Sequence, residues 1–170
     1  KSDRLDGRPE KYTTPEHVEI ERATLANVAA GKGAGHSIIE AAEAPGRLRQ
    51  VAGSHDLSAE QIAAGTLALA SKDRTIVIQG VAGAGKTTII SAIASVAHQE
   101  GREVIGLAFA NKMVSDLRTG TEIRGPDGEI VRREIAARTV SSFVNEHLRP
   151  ALAGSGPKFE ASREALRGKV

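Results

Sequence analysis

The residues whose types and spacing could do chemistry lie in one short stretch, from Gly80 to Thr87. They read Gly-Val-Ala-Gly-Ala-Gly-Lys-Thr and match the pattern G-x-x-x-x-G-K-[ST]. Glycines permit a tight turn that aims successive backbone N–H groups at phosphate oxygens. Lys86 offers a positive charge to the β- and γ-phosphates, and the Thr87 hydroxyl is short enough to ligate Mg²⁺. The stretch therefore predicts a loop that binds ATP with Mg²⁺.

This loop supplies most of the candidate site residues. Lys86 and Thr87 are the candidate catalytic residues, because catalysis of phosphoryl transfer consists mainly of offsetting charge on the transferring group. Thr87 is also the candidate metal ligand, for Mg²⁺. The predicted nucleotide-binding residues of the loop are Gly80, Ala82, Gly83, Ala84, Gly85, Lys86, Thr87 and Thr88.

The segments on either side of the loop favour this interpretation. Residues 75–79 read Thr-Ile-Val-Ile-Gln, which predicts a strand buried on both faces. From Lys86 onward apolar residues recur at helical spacing, and Gly101 stands where a left-handed residue would end such a helix. The alternative is a glycine-rich turn with an incidental lysine. A strand before and a helix after the loop are the setting that favours phosphate binding.

A second apolar run, residues 103–110, predicts another buried strand. Together with residues 75–79 and the intervening helix it predicts a βαβ unit with a parallel sheet. Asn111 and Lys112 follow the carboxyl end of that strand, where functional loops of such sheets lie, and open a short helix to about Leu117. Lys112 on its own is better explained as a solvated lysine at a helix start.

Gln61 has two interpretations. Ser58 and Gln61 have the spacing of a capping box at the start of a helix that we expect to run to about Ala70. A glutamine amide can also donate to and accept from the edge of an adenine base. Both interpretations stay open, and Gln61 joins the candidate nucleotide-binding residues. We expect Ile62, Leu67 and Leu69 to be partly buried in this helix.

Two helices are predicted nearer the start of the chain. The first runs over residues 15–30, with Thr13 and Glu16 as a capping box and one face carrying Val18, Leu25 and Val28. The second spans residues 37–43 and is ended by Pro45-Gly46. This region is interpreted either as a small helical lid or docking element or as structural padding.

Two further elements follow the second strand. Residues 121–135 predict a hairpin, because Pro-Asp-Gly separates two β-compatible arms. Its arginines could touch DNA, although balancing glutamates favour a solvated face. A helix to about Leu148 is then predicted with Ser141 as its cap, and a last helix over residues 160–166.

The composition narrows the classes of function. The chain has 23 basic and 21 acidic side chains, so any nucleic-acid contact must come from a local patch. Aromatic residues make up 2% of the chain, which argues against base stacking on several rings. Without cysteine there is no disulfide or thiolate metal site, and no apolar run reaches the length of a membrane span. We expect a bacterial cytoplasmic setting, and the chain, which begins with Lys1, to be a piece of a longer protein.

Taken in order, four segments resemble motifs of the superfamily-1 RecD-like helicases. Leu57-Ser-Ala-Glu-Gln61 is similar to the Q motif and Gly80–Thr87 to Walker A. Leu107-Ala-Phe-Ala-Asn-Lys112 is similar to motif Ia, and Ala137-Arg-Thr-Val-Ser-Ser-Phe143 to the following DNA-contact motif. Within that superfamily the chain most resembles the helicase half of conjugative relaxase/helicases of the TraI and TrwC type, which share a lead-in like Tyr12-Thr13-Thr14 with Glu21. The resemblance covers roughly residues 12–170.

The resemblance implies specific roles. Gln61 would contact adenine, the Walker A loop would bind ATP and Mg²⁺, and Asn111, Lys112 and Thr139 would touch the backbone of single-stranded DNA. The relatives tend to have Pro-Thr-Gly where this chain has Phe-Ala-Asn at 109–111, so a hydroxyl contact at Ala110 is lost. The hairpin before Thr139 is also longer than expected.

The resemblance also implies parts that the chain itself does not carry. No apolar strand ends in Asp-Glu, so we expect the Walker B carboxylates and a second RecA-like domain beyond Val170. Tyr12 is the only tyrosine and the five histidines are scattered, so relaxase chemistry would belong to another part of the parent protein. The isolated chain should hydrolyse ATP poorly or not at all.

The predicted fold class is α/β: a partial RecA-like P-loop NTPase lobe, with a parallel sheet and flanking helices, after a small helical N-terminal region. The predicted domains are a lead-in over residues 1–56 and the first part of helicase lobe 1A over residues 57–170. The predicted function is that of an ATP-dependent DNA helicase in a conjugative relaxase. The alternatives are a RecD-like repair helicase, a P-loop kinase or other ATPase, and a non-catalytic RecA-like DNA-binding module.

Overall fold

The structure, a computed structural model, describes residues 14–53, 55–124, 130–133 and 135–149. Within those ranges the helices are α1 Pro15–Ala30, α2 Ala44–Ala52, α3 Ala59–Ala70, α4 Lys86–Gln99, α5 Asn111–Gly120, α6 Val140–Phe143 and a π-helix Val144–Leu148. The strands are β1 Ile105–Ala108, β2 Glu122–Arg124, β3 Ile130–Arg133 and β4 Ala136–Thr139. The predicted last helix over residues 160–166 lies outside the described residues.

The described residues divide into two compact units, the first of which holds α1 and Lys72–Thr75. The bounds of α1 confirm the prediction, but its cap is Thr14, whose hydroxyl accepts from the His17 amide at 3.3 Å. No residue of α1 is buried, and Leu25 on the predicted apolar face is 69% exposed. After the helix, Gly31 accepts from the Arg74 amide at 2.9 Å, which ties the two segments of this unit together.

The second unit holds Ser37–Ser71 and the described residues from Ile76 onward. The helix predicted over residues 37–43 does not form there, and α2 begins at Ala44 instead. Pro45 was expected to end a helix, yet it lies in the first turn of one. A proline is tolerated in that turn because the amide it lacks would have no intrahelical acceptor.

The first core of this unit lies where α2, α3 and α4 pack together. Leu48 of α2, Leu69 of α3 and Val96 of α4 are fully buried, and Ile89 joins them. Gly65 of α3 is needed for this close approach, because a Cβ there would lie 2.7 Å from Leu48 and 2.9 Å from Ile89. Three residues of α3 were expected to be partly buried. Ile62 is partly buried, Leu69 is fully buried and Leu67 is exposed.

The sheet differs from the predicted βαβ unit. Residues 75–79, the predicted first strand, form neither strand nor helix, and Val77 is 83% exposed. A strand exists only where its backbone groups pair with a neighbour, and the apolar character of this run does not provide one. The second apolar run does form β1, which pairs in parallel with β4 from Ile105↔Ala136 to Ala108↔Thr139.

A second core lies beneath this parallel pair. It joins α4, β1, α5 and β4 through the buried residues Ala94, Ala108, Val114, Ile135 and Ala137. The predicted hairpin is present as the antiparallel pair β2–β3, and its turn lies outside the described residues. The helix after β4 is capped by Thr139 rather than Ser141. The coarse prediction of an α/β fold with helices beside a parallel sheet is therefore confirmed in the described part of the chain.

No helix among the described residues combines the length and the apolar character needed to cross a membrane.

We predict that Leu48→Ala lowers the free energy of unfolding by about 2–5 kcal/mol, because a fully buried leucine leaves a cavity when truncated. Denaturant unfolding followed by circular dichroism measures this. Leu67→Ala is the matched control, since Leu67 also lies in a helix but is 50% exposed, and it should cost less than about 1 kcal/mol. Equal losses in the two variants would contradict the packing described for α2, α3 and α4.

Candidate nucleotide-binding loop and nucleic-acid surface

The loop before α4 has the backbone conformation that its glycines predict. Gly83 and Gly85 have φ angles of 79° and 69°, in the left-handed region that glycine adopts without strain. Ala84 donates to the Val81 carbonyl at 3.3 Å and closes a turn, and α4 begins at Lys86, directly after Gly85. The first amides of a helix have no intrahelical acceptors, so this turn ends at a set of free donors.

The groups at this loop fit a triphosphate with Mg²⁺. A Cβ built on Gly83 would have nothing within 4 Å, so the space above the turn is open. Lys86 and Thr87 are both exposed at the start of α4. Backbone amides at a helix N-terminus and an ammonium can donate hydrogen bonds to phosphate oxygens, and a hydroxyl oxygen can ligate Mg²⁺. The predicted loop residues are therefore together in one place, with an approach from solvent.

The Lys86 side chain folds back over the loop. Its Nζ donates to the Gly80 carbonyl at 2.8 Å and to the Val81 carbonyl at 2.7 Å. A Cβ on Gly80 would lie 3.5 Å from Lys86 Cδ, so the lysine stem runs close along the backbone at Gly80. The ammonium is thus held near the turn before any anion arrives, and phosphate contacts would replace or add to these two carbonyl bonds.

Gln61 satisfies the helix cap and contacts the loop at the same time. The side-chain Oε1 of Gln61 accepts from the backbone amide of Ser58 at 2.8 Å. The backbone amide of Gln61 donates to the Ser58 hydroxyl at 3.3 Å, and the two bonds confirm the capping box. Its Nε2 donates to the carbonyls of Ala84 and Gly85, at 3.3 and 3.4 Å. Both polar groups of the side chain are therefore in use. Its role in reading adenine stays a prediction.

Glu60 adds to the same cap. Its own backbone amide, and then the Ser58 hydroxyl at 2.8 Å, hold the pKa of this carboxyl below its ordinary value. A lowered carboxylate pKa means that the charged form is favoured in the folded state. The charged Glu60 therefore stabilises the folded state at pH values above the ordinary pKa of glutamate. This stabilisation is lost as the pH falls through the lowered pKa.

Thr88, the last of the predicted nucleotide-binding residues, lies in the first turn of α4. It is half-buried and lines a cavity of about 370 Å³ together with His55, Ser91 and Gly120.

Two of the three predicted DNA-contact residues come together at a second place. Asn111, the first residue of α5, and Thr139, the last of β4, line one cavity of about 510 Å³. Lys112 is not among the lining residues; its side chain is 81% exposed and forms an ion pair with Asp116, one helical turn on. The carboxyl ends of β1 and β4 meet at this edge because the two strands are parallel.

Sequence reasoning missed other polar residues of this cavity, which are Ser115, Arg118, Thr119, Glu122, Arg138 and Ser142. The spacing of Asn111, Ser115, Arg118 and Thr119 places them on one face of α5, and this periodicity could have identified the three that follow Asn111. The position of Arg138 in the sheet follows from the pairing of β4 with β1, which no local pattern predicts.

Both arginines of the cavity are held in place. Arg118 donates through Nε at 2.9 Å, and also through Nη2, to the Ala137 carbonyl, which ties α5 to β4. Arg138 Nη1 donates to Glu146 at 2.7 Å and lies 3.2 Å from His147 Nε2. Glu146 and His147 belong to the π-helix, a rare conformation that is common at functional sites.

The hydroxyl of Thr139 accepts one hydrogen bond, and within the described part of the chain its O–H group has no acceptor. Its Oγ1 accepts from the Ser142 amide at 3.1 Å as the cap of α6. A hydroxyl that accepts one bond still carries an O–H, which can donate to a phosphate oxygen.

The glycine-rich loop before α4 and the α/β fold are typical of P-loop NTPase domains. The family model for the AAA domain matches residues 56–166 of this chain. The chain belongs to that family of P-loop domains. Among individual proteins it is similar to the multifunctional conjugation protein TraI of Escherichia coli K12, at 30% identity over 145 residues. A second Escherichia coli protein of the same name is 29% identical over 145 residues. These findings confirm the resemblance to a TraI-type helicase region.

Each of these alignments covers 83% of this chain but only 7% of the relative. The chain therefore spans a small part of the length of the curated relatives that it matches. No solved structure matches the chain significantly.

We predict that Gln61→Glu lowers the free energy of unfolding by about 1 kcal/mol at neutral pH. A glutamate keeps the acceptor for the Ser58 amide but turns a carboxylate oxygen toward the Ala84 and Gly85 carbonyls, where the wild type has a donor. Thermal and denaturant unfolding measure the change. Gln50→Glu, the same substitution at an exposed position of α2, is the control. If the two variants are equally stable, the contact between Gln61 and the loop contributes nothing.

Proposed function

We propose that this chain is part of an ATP-dependent DNA helicase or translocase, with residues 57–170 forming the first part of a RecA-like lobe and residues 1–56 a lead-in. One observation carries the proposal. The left-handed glycines Gly83 and Gly85 deliver the chain into α4 so that Lys86 and the first helix amides lie beside one open turn. Membership of the AAA-domain family supports nucleotide as the ligand of that turn.

The roles of the loop residues follow from their positions. The amides at the start of α4 bind phosphate oxygens, and the helix dipole adds to the attraction. Lys86, whose ammonium lies at the Gly80 and Val81 carbonyls of the loop, binds the β- and γ-phosphates. Thr87 holds Mg²⁺ through its hydroxyl. When bound, Mg²⁺ neutralises charge that develops on the phosphates during transfer.

The second part of the proposal is a contact with single-stranded DNA at the edge where β1 and β4 end. Asn111 and the free O–H of Thr139 line a polar cavity that also holds two arginines. Lys112 stands beside it at the start of α5, exposed and able to exchange Asp116 for a phosphate. These groups suit a sugar–phosphate backbone rather than base edges, which would give binding without strong sequence preference.

The name of the relatives supports a role in conjugation for the whole protein. We propose that the parent protein nicks and unwinds plasmid DNA for transfer in the bacterial cytoplasm, with relaxase and second RecA-like domains outside the aligned part. In that arrangement the Walker B carboxylates come from elsewhere in the parent protein. The 170-residue chain alone should bind nucleotide weakly and turn it over poorly or not at all.

Lys86→Ala should weaken binding of ADP with Mg²⁺ by about tenfold or more, because a charge-assisted phosphate contact contributes about 1.5–3 kcal/mol. Titration of the chain with a fluorescent ADP analogue measures this. Lys32→Ala, at an exposed lysine of the other unit, is the control and should bind like the wild type. Equal affinity of the Lys86 and Lys32 variants would refute nucleotide binding by this loop.

Lys112→Ala should weaken binding of a labelled oligothymidylate and make that binding less sensitive to salt. Each phosphate contact with a single strand contributes about 0.7 to the slope of log affinity against log salt, so the slope should fall by about that amount. Fluorescence anisotropy over a series of salt concentrations measures it, again with Lys32→Ala as control. An unchanged slope would remove Lys112 from the proposed surface.

A further inference from the structure

One close approach in the molecule is used by none of the functions described so far. Gly120, the last residue of α5, lies against the side chain of Thr87 in the first turn of α4. A Cβ built on Gly120 would come well inside 3.0 Å of Thr87 Cγ2, closer than real Cβ atoms approach other atoms. The same Cβ would lie 3.5 Å from Thr87 Cβ and 4.0 Å from Thr87 Oγ1, which are ordinary contacts. The methyl group of Thr87 therefore occupies the space that the missing side chain leaves.

The orientation of that methyl group also sets the orientation of the hydroxyl. Cγ2 and Oγ1 of threonine are attached to the same Cβ, so a rotation about χ1 that moves the methyl group moves the oxygen as well. Thr87 Oγ1 is the atom that the proposed function assigns to Mg²⁺. A side chain at position 120 would therefore change the orientation of this proposed metal ligand.

The end of α5 is fixed more firmly than Thr87. Thr121, next to Gly120, is 1% exposed, and its hydroxyl donates to the Leu117 carbonyl at 2.9 Å. Two residues before Gly120, Arg118 is bonded to the Ala137 carbonyl of β4. Thr87 is exposed and can rotate. A clash between the two would consequently be relieved at Thr87 rather than by displacement of α5.

We propose that Gly120 is a positioning residue for the nucleotide site: by leaving room for the Thr87 methyl group, it allows the Thr87 side chain the rotamer in which its hydroxyl would ligate Mg²⁺. The inference rests on the proposed function, because it gives Thr87 the role of metal ligand. It adds that the end of α5, the helix that begins at the candidate DNA contact Asn111, determines the geometry of that ligand.

The test compares binding of a fluorescent ADP analogue in MgCl₂ and in EDTA. Gly120→Ala should lower the affinity in MgCl₂ by about tenfold, the usual effect of disturbing a group that orients a metal ligand. Its affinity in EDTA should stay within about twofold of the wild type, since the loop amides and Lys86 are untouched. Gly46→Ala is the control, because a Cβ on that helical glycine would meet nothing within 4 Å.

A second substitution makes the test specific. Thr87→Ser removes the methyl group that Gly120 accommodates and keeps the hydroxyl, so Thr87→Ser combined with Gly120→Ala should restore the wild-type difference between MgCl₂ and EDTA. The proposal is overturned if Gly120→Ala binds the ADP analogue like the wild type or loses affinity equally in MgCl₂ and in EDTA. It is also overturned if adding Thr87→Ser to Gly120→Ala does not restore binding in MgCl₂. If Gly120→Ala fails to fold, the double variant decides: folding with normal Mg²⁺ dependence supports the contact, and failure to fold overturns it.

The outcome for the wild type separates this inference from the proposed function. A wild-type chain that does not bind the ADP analogue in MgCl₂ refutes nucleotide binding itself, and the inference with it. A wild-type chain that binds, with a Gly120→Ala variant that binds equally well, refutes the role of Gly120 alone.

Discussion

The left-handed turn at Gly83 and Gly85 is the constraint on which the rest of the candidate site depends. Positive φ angles cost free energy in a residue with a side chain, so the turn needs glycine. The turn also fixes the residue at which α4 begins. Because α4 begins at Lys86, the lysine, Thr87 and the free amides of the first helical turn all lie at the end of the loop. Any change that straightened the turn would separate these groups.

The turn is supported from one side by α3. Gln61 belongs to the cap of that helix and reaches the carbonyls of Ala84 and Gly85, so the start of α3 and the end of the turn share one side chain. The helices behind them pack through Leu48, Leu69 and other buried residues, with Gly65 allowing the close approach. The exposed loop therefore stands on a well-packed base, although the segment that leads into it pairs with no described strand.

The second region is organised by the parallel pairing of β1 with β4. This pairing brings Asn111 and Thr139, 28 positions apart in the chain, to the edge of one cavity. Helix α5 then runs from this edge to Gly120, where it meets Thr87 of the phosphate loop. One short helix thus has one end at each of the two candidate sites.

The local chemistry of this protein was determined by the sequence alone: the phosphate loop, the α3 cap and the helix that follows Lys86 depend on glycine conformations and on neighbours three or four residues away. The pairing of strands was decided only by the tertiary structure. An apolar run such as residues 75–79 indicates that a segment can be a strand, but a strand forms only where a distant segment provides its hydrogen bonds, and none of the described residues does so for this run. The partnership of β1 with β4 and the contact between Gly120 and Thr87 could not be predicted from the sequence for the same reason, because no local pattern records which distant residues meet.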